Sequence, residues 1–232
     1  MHYQNSTISL ENANSKLAIN PFKALIAPRP IGWISTLDQN GNVNLAPYSY
    51  FQAVADNPDI VFFSAAPELI EEAGQIRFGE KRKHSEQNAL ASGEFVCNLV
   101  NFDLREQMNA TSANFPKGIS EAEKANLDLS PSKHIKTPRV ASSPAALECV
   151  VVDSHPVKHR GGNHLFHLVF GEVVGIYIDD QFVGEQKVDT KAMRLVTRMG
   201  YDEYTVTEKS FSMTRPDFDP MKNNMLKPGH IK

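Results

Sequence analysis

Several features that would mark a particular class of protein are absent from this sequence. Its 232 residues include two cysteines, Cys97 and Cys149, which are too few for a disulfide scaffold. No apolar run approaches the roughly 18 residues that span a bilayer, and Met1–Ser6 lacks the basic start and apolar stretch of a secretory signal. The 24 basic and 27 acidic residues nearly balance, which argues against a broad nucleic-acid-binding surface. We therefore expect a cytoplasmic protein with no membrane or nucleic-acid partner.

The motifs of several enzyme classes are also missing. The sequence contains no Gly-x-Ser-x-Gly, no P-loop and no Gly-x-Gly-x-x-Gly turn. These absences argue against a serine hydrolase, a Walker-type NTPase and a dinucleotide-binding Rossmann domain. The hydrophobic fraction of 41% is nevertheless sufficient to bury a core. We predict an N-terminal arm over residues 1–20, one domain over 21–210 and a C-terminal tail over 211–232.

Short apolar runs separated by turn residues predict a mainly β protein, a mostly antiparallel barrel with flanking helices. Asn40-Gly41 predicts a tight hairpin turn after the strand that ends at Leu37, with Val43 to Ala46 returning beside it and Pro47 ending the pairing. Gly171 and Gly175 predict bulges or bends within one long strand. The further predicted strands are 60–63, 95–100, 147–152 and 164–178. Helices are predicted over 85–92 and 104–112, mainly helix and loop over 66–92, and a surface excursion over 114–144.

Two stretches carry a family resemblance, Arg29-Pro30-Ile31-Gly32-Trp33-Ile34-Ser35-Thr36 and Asn44-Leu45-Ala46-Pro47-Tyr48-Ser49-Tyr50-Phe51. Shorter matches follow at Asp56-Asn57-Pro58, Phe62-Phe63-Ser64, Lys83-His84-Ser85 with Asn88, Gly93-Glu94-Phe95-Val96-Cys97-Asn98 and Gly171-Glu172-Val173. With these residues the chain resembles the flavin reductase-like family of FMN-binding split barrels, which includes the flavoredoxins. The resemblance covers about residues 20 to 205 and implies an FMN-binding split-barrel fold.

The resemblance also implies which residues lie against the flavin. These are Trp33, Ile34, Ser35, Thr36, Ala46, Pro47 and Ser49. Physically, the three hydroxyl side chains offer hydrogen bonds to ring or ribityl atoms, and Trp33 offers a stacking surface. The alternative is that Ile31, Trp33 and Ile34 form an ordinary core strand and that Asn44 to Ser49 form an ordinary turn.

A basic segment at a predicted helix start suggests a site for the FMN phosphate. Arg82 and Lys83 supply positive charge, and Ser85 supplies a hydroxyl beside the free N–H groups of a helix N-terminus. Ser85 also suits the N-cap position, so the alternative is a solvated basic loop in which Ser85 only caps the helix. The family has Lys-Asp-Thr where this chain has Lys83-His84-Ser85, so a carboxylate is replaced by an imidazole.

The segment from His155 to His167 is rich in histidine, which suggests a metal site. Strand alternation would place His164 and His167 on opposite faces, and no cysteine or carboxylate stands at ligand spacing, so no metal is predicted. In the family a Gly-Asp-His sequence enters this strand near the place where flavin and nicotinamide meet. Here the sequence is Gly162-Asn163-His164, with Asn in place of Asp, and the resemblance implies His164 as the candidate catalytic residue on the nicotinamide side.

The resemblance implies an oxidoreductase that passes a hydride from NAD(P)H to FMN and serves an oxygenase or a redox protein as acceptor. Family members are typically homodimers. Two alternatives remain open, an FMN-holding electron carrier without nicotinamide activity and a non-redox ligand-binding barrel. The sequence does not choose between NADH and NADPH, or between a resident and an exchanging FMN.

Overall fold

The structure is a computed structural model that describes residues 20–67, 69–72, 75–79, 81–158, 160, 166–216, 218–219 and 224–225. The strands are β1 (Arg29–Pro30), β2 (Gly32–Leu37), β3 (Val43–Tyr48), β4 (Phe51–Asp56), β5 (Asp59–Ala65), β6 (Leu69–Glu72), β7 (Gln75–Phe78), β8 (Glu94–Asn98), β9 (Leu129–Ser130), β10 (Arg139–Val140), β11 (Ala145–Pro156), β12 (His167–Ile178), β13 (Val196–Arg198), β14 (Tyr204–Val206), β15 (Phe218–Asp219) and β16 (Asn224–Met225). The α-helices are α1 (Phe22–Leu25), α2 (His84–Ser92), α3 (Arg105–Ala110) and α4 (Glu121–Lys124). Short 3-10 helices cover Phe102–Leu104 and Asp180–Phe182.

One seven-stranded sheet dominates the fold, with the strand order β3-β2-β8-β11-β12-β5-β4. Every described strand pair in it is antiparallel. A smaller sheet has the order β1-β13-β14. The predicted mainly β, mostly antiparallel fold is therefore confirmed.

The hairpin between β2 and β3 forms as predicted, but with a different turn. Gly41 has a positive φ of 81°, whereas Asn40 is not among the described residues of positive φ. The Gly41 N–H donates to the Asp38 carbonyl at 3.0 Å, and the Asp38 N–H donates to the Asn42 carbonyl at 2.9 Å. The Asp38 side chain also accepts from the Asn40 and Asn42 N–H groups. The loop is thus a three-residue turn that ends in a left-handed glycine, and not the two-residue turn that Asn-Gly suggested.

Strand β3 also continues past the predicted stop. Pro47 pairs with Trp33, and the ladder extends to Tyr48 opposite Gly32. A proline is tolerated here because β3 is the edge strand of the sheet and needs no N–H donor on its open side.

Strand β2 is buried on both faces, since each residue from Gly32 to Thr36 is buried. By strand alternation Ile34 joins the larger core cluster, with Phe63 and Phe95. Trp33 joins a second cluster, with Leu45 and Val140. The β2–β3 hairpin therefore separates two cores and fixes the position of the segment around Ala46.

Two bulges interrupt the long β11–β12 pair. Register shifts occur between Glu148 and Cys149, opposite Gly175, and between Val151 and Asp153, opposite Gly171. The first bulge has Val174 as its extra residue and lies in β12, as predicted from Gly175, whereas the extra residue of the second is Val152 of β11, opposite Gly171. A Cβ at Gly171 would lie 2.5 Å from the buried Phe95 ring, so the close packing requires a residue without a side chain.

Two predictions for the connections are wrong. Residues 69–78 contain the β6–β7 hairpin, and helix occupies only His84–Ser92 of the predicted region. The excursion over 114–144 is not confined to the surface, because Ala122, Thr137 and Val140 are fully buried. Its helix α4 lies against β3 and supplies part of the second core.

The predicted arm lies almost entirely outside the described residues, as does most of the predicted tail. The domain boundaries at 20 and 210 therefore stay predictions. In the part of the chain that the structure describes, none of the helices has the length and apolar character needed to span a membrane.

Candidate functional site

Helix α2 begins two residues earlier than it would with Ser85 as its N-cap. Its N-cap is Lys83, with extended backbone angles and no capping side chain, and the Lys83 carbonyl accepts from the Gln87 N–H at 3.1 Å. Ser85 therefore stands in the first turn and not at the cap. The N–H groups of that turn have no partner within the helix, so the start of α2 is suited to an anion.

A cleft of about 490 Å³ opens in front of this helix start. One wall is the end of strand β3, from Asn44 through Ala46 and Pro47 to Tyr48. The opposite wall comes from the segment that follows α3, residues 111–117, together with Glu121 of α4. The cleft thus brings together four of the predicted site residues, Ala46, Pro47, Lys83 and Ser85.

The cleft is lined by several basic side chains. Lys81, Lys83 and His84 come from the start of α2, and Lys117 comes from the opposite wall. Arg82 was predicted to join them, but its guanidinium lies 3.3 Å from the Glu86 carboxylate, and the residue is outside the cleft lining. In an extended segment successive side chains point to opposite sides, so the Arg82 side chain points away from those of Lys81 and Lys83.

A hydrogen-bonded row of buried polar side chains forms the floor between α2 and α4. The Asn44 amide lies 2.8 Å from the Ser85 hydroxyl oxygen. Glu121 Oε2 accepts from the Leu45 N–H at 3.0 Å, and both Ser85 and Glu121 are buried. Burial raises the pKa of the Glu121 carboxyl, and hydrogen bonds from backbone N–H groups offset part of this rise.

Tyr48 places a hydroxyl beside this row. Its ring packs on Phe63, with ring centroids 5.0 Å apart. The hydroxyl is buried and makes no hydrogen bond of normal geometry to the described residues. Burial raises the pKa of Tyr48 to about 12, with the nearby Ser85 hydroxyl acting in the opposite direction. Tyr48 therefore remains a hydrogen-bond donor at neutral pH.

The four predicted site residues of β2 do not reach the cleft with their side chains. Trp33, Ile34, Ser35 and Thr36 have no exposed surface. The Ser35 hydroxyl donates to the Pro138 carbonyl at 2.7 Å, and Thr36 Oγ1 accepts from the Asn88 amide at 3.3 Å. For these residues the structure supports the alternative of an ordinary core strand.

Trp33 nevertheless supports the cleft from behind. Its indole N–H donates to Thr111 Oγ1 at 2.8 Å, and Thr111 is the first residue of the opposite wall. Thr111 Oγ–H donates in turn to the Met108 carbonyl at 2.8 Å. Trp33 is therefore not a stacking surface in this structure but an anchor of the wall.

Ser49 faces a second cleft, of about 620 Å³, on the other side of the β3–β4 turn. This cleft is lined mainly by apolar residues, among them Ile26, Pro28 and Tyr50. Arg29, at its edge, is 7% exposed and donates to the carbonyls of Lys23, Ile26 and Met199. The first residue of the Arg-Pro motif therefore ties α1 to the turn before Gly200.

His164 lies outside the described residues, so its predicted role stays a prediction. His167, the first residue of β12, has Nδ1 at 3.5 Å from the buried Glu86 carboxylate. Among the described residues no three potential ligands gather into a metal site. Because His159 and His164 are outside those residues, the metal alternative is not tested.

Lys117 and Glu121 were not predicted as site residues. They belong to the segment that was taken for a surface excursion, and only the folding of the chain brings them into the cleft beside β3. Asn44 and Tyr48 stood within the quoted motif but were given no role. The polar character of Asn44 at a strand position was the one signal that could have indicated its contact with Ser85.

The sequence comparisons agree with this architecture. The model of the flavin reductase like domain matches residues 25–194. An uncharacterized protein of Deinococcus radiodurans is 34% identical over 200 residues, which cover 83% of this chain and 82% of that protein.

The structural comparisons identify the same fold. Nitrilotriacetate monooxygenase component B from Bacillus cereus superposes with a TM-score of 0.75 and 26% identity, covering 90% of this chain and 100% of that one. A candidate flavin reductase with split barrel domain from Shewanella frigidimarina gives a TM-score of 0.71 and 25% identity, covering 84% and 89% of the two chains. The family match extends over most of the chain and includes both walls of the cleft. The protein therefore belongs to the flavin reductase like domain family and has its split-barrel fold.

Proposed function

We propose that this protein is a flavin oxidoreductase that binds FMN in the basic cleft and passes a hydride to it from NAD(P)H. The observation that carries the proposal is the single cleft that joins an uncapped helix start and four basic side chains to the Ala46–Tyr48 edge of β3. Membership of the family supports flavin binding. That NAD(P)H is the hydride donor is proposed in addition.

The residues present fit an FMN. A volume of about 490 Å³ is within the range of pockets that hold small molecules. Lys81, Lys83, Lys117 and the first turn of α2 would hold the phosphate by charge and by backbone N–H groups. The polypeptide around Ala46 and Pro47 has small or flat side chains, which allow a planar ring to approach the backbone.

FMN supplies, when bound, an electron-accepting ring that can take up a hydride and release electrons singly or in pairs. The protein's part is to bind and orient. Ser85 Oγ–H is placed to donate to an anion at the start of α2, and Tyr48 keeps its proton at neutral pH because its pKa is about 12. No protein acid or base is required for a hydride transfer between aligned rings.

The first test is the visible spectrum of the purified protein with added FMN. A flavin band that stays with the protein on gel filtration, and a saturable quench of flavin fluorescence, would support the proposal. A protein that takes up no FMN in an equilibrium titration would refute it and would favour the non-redox barrel.

The second test separates the reductase from an electron carrier. NADH or NADPH is mixed with the FMN-loaded protein without oxygen, and the flavin band is followed in a stopped-flow instrument. Bleaching much faster than that of free FMN at the same concentration is the expected result. Bound flavin that bleaches no faster than free FMN would identify a carrier.

The phosphate site is tested by replacing Lys83 with Ala. Loss of a charge-assisted contact is typically worth about 1.5–3 kcal/mol, so FMN affinity should fall about tenfold or more. Riboflavin, which has no phosphate, should lose little. Arg82→Ala is the matched control, because it removes the neighbouring charge, which pairs with Glu86 outside the cleft. Equal losses for FMN and riboflavin would show that Lys83 acts on the fold.

We also propose that the protein is a cytoplasmic homodimer whose reduced flavin serves an oxygenase or a redox protein. The exposed apolar side chains of Leu25 and Ile26 line the second cleft and are consistent with a subunit interface there. The similarity to a monooxygenase component B supports an oxygenase as acceptor. Light scattering during gel filtration measures the mass directly, and a monomer at micromolar concentration would exclude the dimer.

A further inference from the structure

A carboxylate stands among the cations of the basic cleft. Glu121, the first residue of α4, lines the cleft and is 5% exposed. An ionised carboxylate at this position repels an anion that the surrounding lysines attract. Its protonation state therefore affects any phosphate bound there.

The Asn44 amide lies between Glu121 and Ser85, and its hydrogen bonds depend on which of two orientations it takes, because the amide O and N fit the same two positions. In one, Nδ2 donates to Ser85 Oγ at 2.8 Å. In the other, turned by half a rotation, Nδ2 donates to Glu121 Oε1 at 3.2 Å, while Oδ1 accepts from Ser85 Oγ–H at 2.8 Å and from the Leu45 N–H at 3.2 Å. Beside an ionised Glu121, only the second orientation gives both amide atoms a partner; in the first, Oδ1 faces the Glu121 carboxyl oxygen and needs a proton on it.

The charge on Glu121 selects between these orientations. An ionised carboxylate only accepts, so it requires Nδ2, and the Ser85 proton is then taken up by Asn44 Oδ1. A neutral carboxyl has an O–H that can donate to Asn44 Oδ1. Nδ2 then donates to Ser85 Oγ, and the Ser85 proton is free for another acceptor. Burial raises the pKa of Glu121 and so brings the neutral form closer to physiological pH.

We propose that Glu121 is a positioning residue of the anion site, which takes up a proton when FMN binds and thereby, through Asn44, frees the Ser85 hydroxyl to donate to the phosphate. The inference rests on the proposed binding of FMN in this cleft. The proton comes from solvent and is added to the carboxylate, and no other bond is made or broken.

The surrounding charges determine the direction of the coupling. His84 from α2 lowers the pKa of Glu121, and Lys81, Lys83 and Lys117 line the same cleft. A bound phosphate neutralises these cations and adds its own negative charge, and both effects raise the pKa of the carboxyl. The other ionisable groups nearby are Tyr48 on β3, whose pKa is raised to about 12, Glu86 on α2, and Glu123 and Lys124 on α4 itself.

The test measures dissociation constants of FMN and riboflavin between about pH 5.5 and 8 for the natural protein and for Glu121→Gln. A glutamine amide donates to Asn44 Oδ1 as the neutral acid does, at every pH. The ratio of the FMN dissociation constants, natural protein over variant, should rise with pH by about tenfold, the factor that corresponds to one unit of pKa shift. The ratio for riboflavin should stay constant. The second ionisation of the FMN phosphate, near pH 6, is common to both proteins and cancels in the ratio.

An FMN ratio that is constant across this pH range would overturn the inference while leaving FMN binding intact. Absence of FMN binding to both proteins would instead refute the proposed function, and the inference with it. Calorimetry of the natural protein at about pH 7.5, in buffers of different ionisation enthalpy, gives a second measurement that needs no variant. Greater proton uptake with FMN than with riboflavin is expected, and equal uptake would overturn the inference.

Discussion

Glu86 and Glu121 are both buried carboxylates, of which only Glu121 lines the basic cleft, and their partners differ. Glu121 accepts a backbone N–H from Leu45. The Glu86 carboxylate lies 3.3 Å from the Arg82 guanidinium and 3.5 Å from His167 Nδ1. In the folded protein burial raises the pKa of Glu86, and Arg82 offsets part of the rise. Because burial raises the pKa of both carboxyls, proton binding at these two residues is coupled to folding.

We predict that Glu86→Gln makes the stability of the protein less dependent on pH. A carboxyl with a raised pKa binds a proton more readily in the folded state, so its contribution is present below the ordinary pKa, near 4.5, and is lost as the pH rises through the raised value. The free energy of unfolding in urea, measured from about pH 4.5 to 7.5, should therefore fall for the natural protein relative to the variant. Glu106→Gln, at a carboxylate that is 76% exposed, is the control. Parallel curves for the natural protein and Glu86→Gln would contradict the prediction.

Single residues could be predicted from the sequence where the signal was local. Lys83 and Ser85 were found because charge, hydroxyl and helix start lie within three positions of the chain. Lys117 and Glu121 could not be found, because Glu121 meets Leu45 across 76 positions. The buried hydroxyls of Ser35 and Thr36 show the converse limit. The sequence around a strand hydroxyl does not distinguish one that faces a ligand from one that bonds a buried group of the protein, as Ser35 does with the Pro138 carbonyl.

At the scale of elements, two carboxylates fix the segment between β9 and β10 onto the large sheet. Glu148 accepts from the N–H groups of Lys133 and His134 at 2.9 and 2.7 Å. Glu94 accepts from the N–H and hydroxyl of Thr137 at 2.7 and 2.9 Å. This segment leads to Val140, which belongs to the second core, so hydrogen bonds to two carboxylates hold a segment that has no strand ladder of its own.

The glycine at the second bulge gives a prediction for an element. Replacing Gly171 with Ala places a Cβ 2.5 Å from the Phe95 ring and 2.9 Å from Cys149 Cβ. Overpacking of this kind typically costs about 1–3 kcal/mol, which urea unfolding would measure. Phe95→Leu in the same chain removes the closer of these two contacts and leaves the one with Cys149, so the double variant should lose less than the sum of the single changes. A Gly171→Ala protein as stable as its parent would contradict the prediction.

The elements that the sequence predicted best were strands with apolar runs and a glycine or proline boundary. The stop of α2 at Gly93, which has a positive φ of 75°, belongs to this group. The β6–β7 hairpin was missed because its acidic and basic residues follow one another as in a helix, and each strand has only four residues. Segment 114–144 was missed because its buried positions follow no single period.

At the scale of the whole molecule, the reactivity of the two cysteines indicates whether the larger core is folded. Cys97 and Cys149 are both fully buried there, and burial raises the pKa of both thiols. Leu147 stands opposite Cys97, so Cys149 is a diagonal neighbour, at a spacing of roughly 7–8 Å. That exceeds the usual span of a disulfide, and low thiolate content makes both thiols unreactive.

We predict that neither thiol reacts with a disulfide reagent in the folded protein and that both react on unfolding. If FMN binds only the folded state, a free concentration of about 100 times the dissociation constant adds about 2.7 kcal/mol of stability. Labelling through global opening should then slow about a hundredfold. Riboflavin at the same concentration is the comparison, since it lacks the phosphate contacts. Rapid labelling of either cysteine without denaturant would show a local opening of the sheet.

The hydrogen bond from Trp33 to Thr111 has a practical consequence. Trp33 is the only tryptophan of the chain, and it touches the wall that carries Lys117 while its ring fills the second core. The molecule therefore contains a built-in optical probe. Its fluorescence should change in one way when residues 111–117 move and in another when the second core unfolds, without any attached dye.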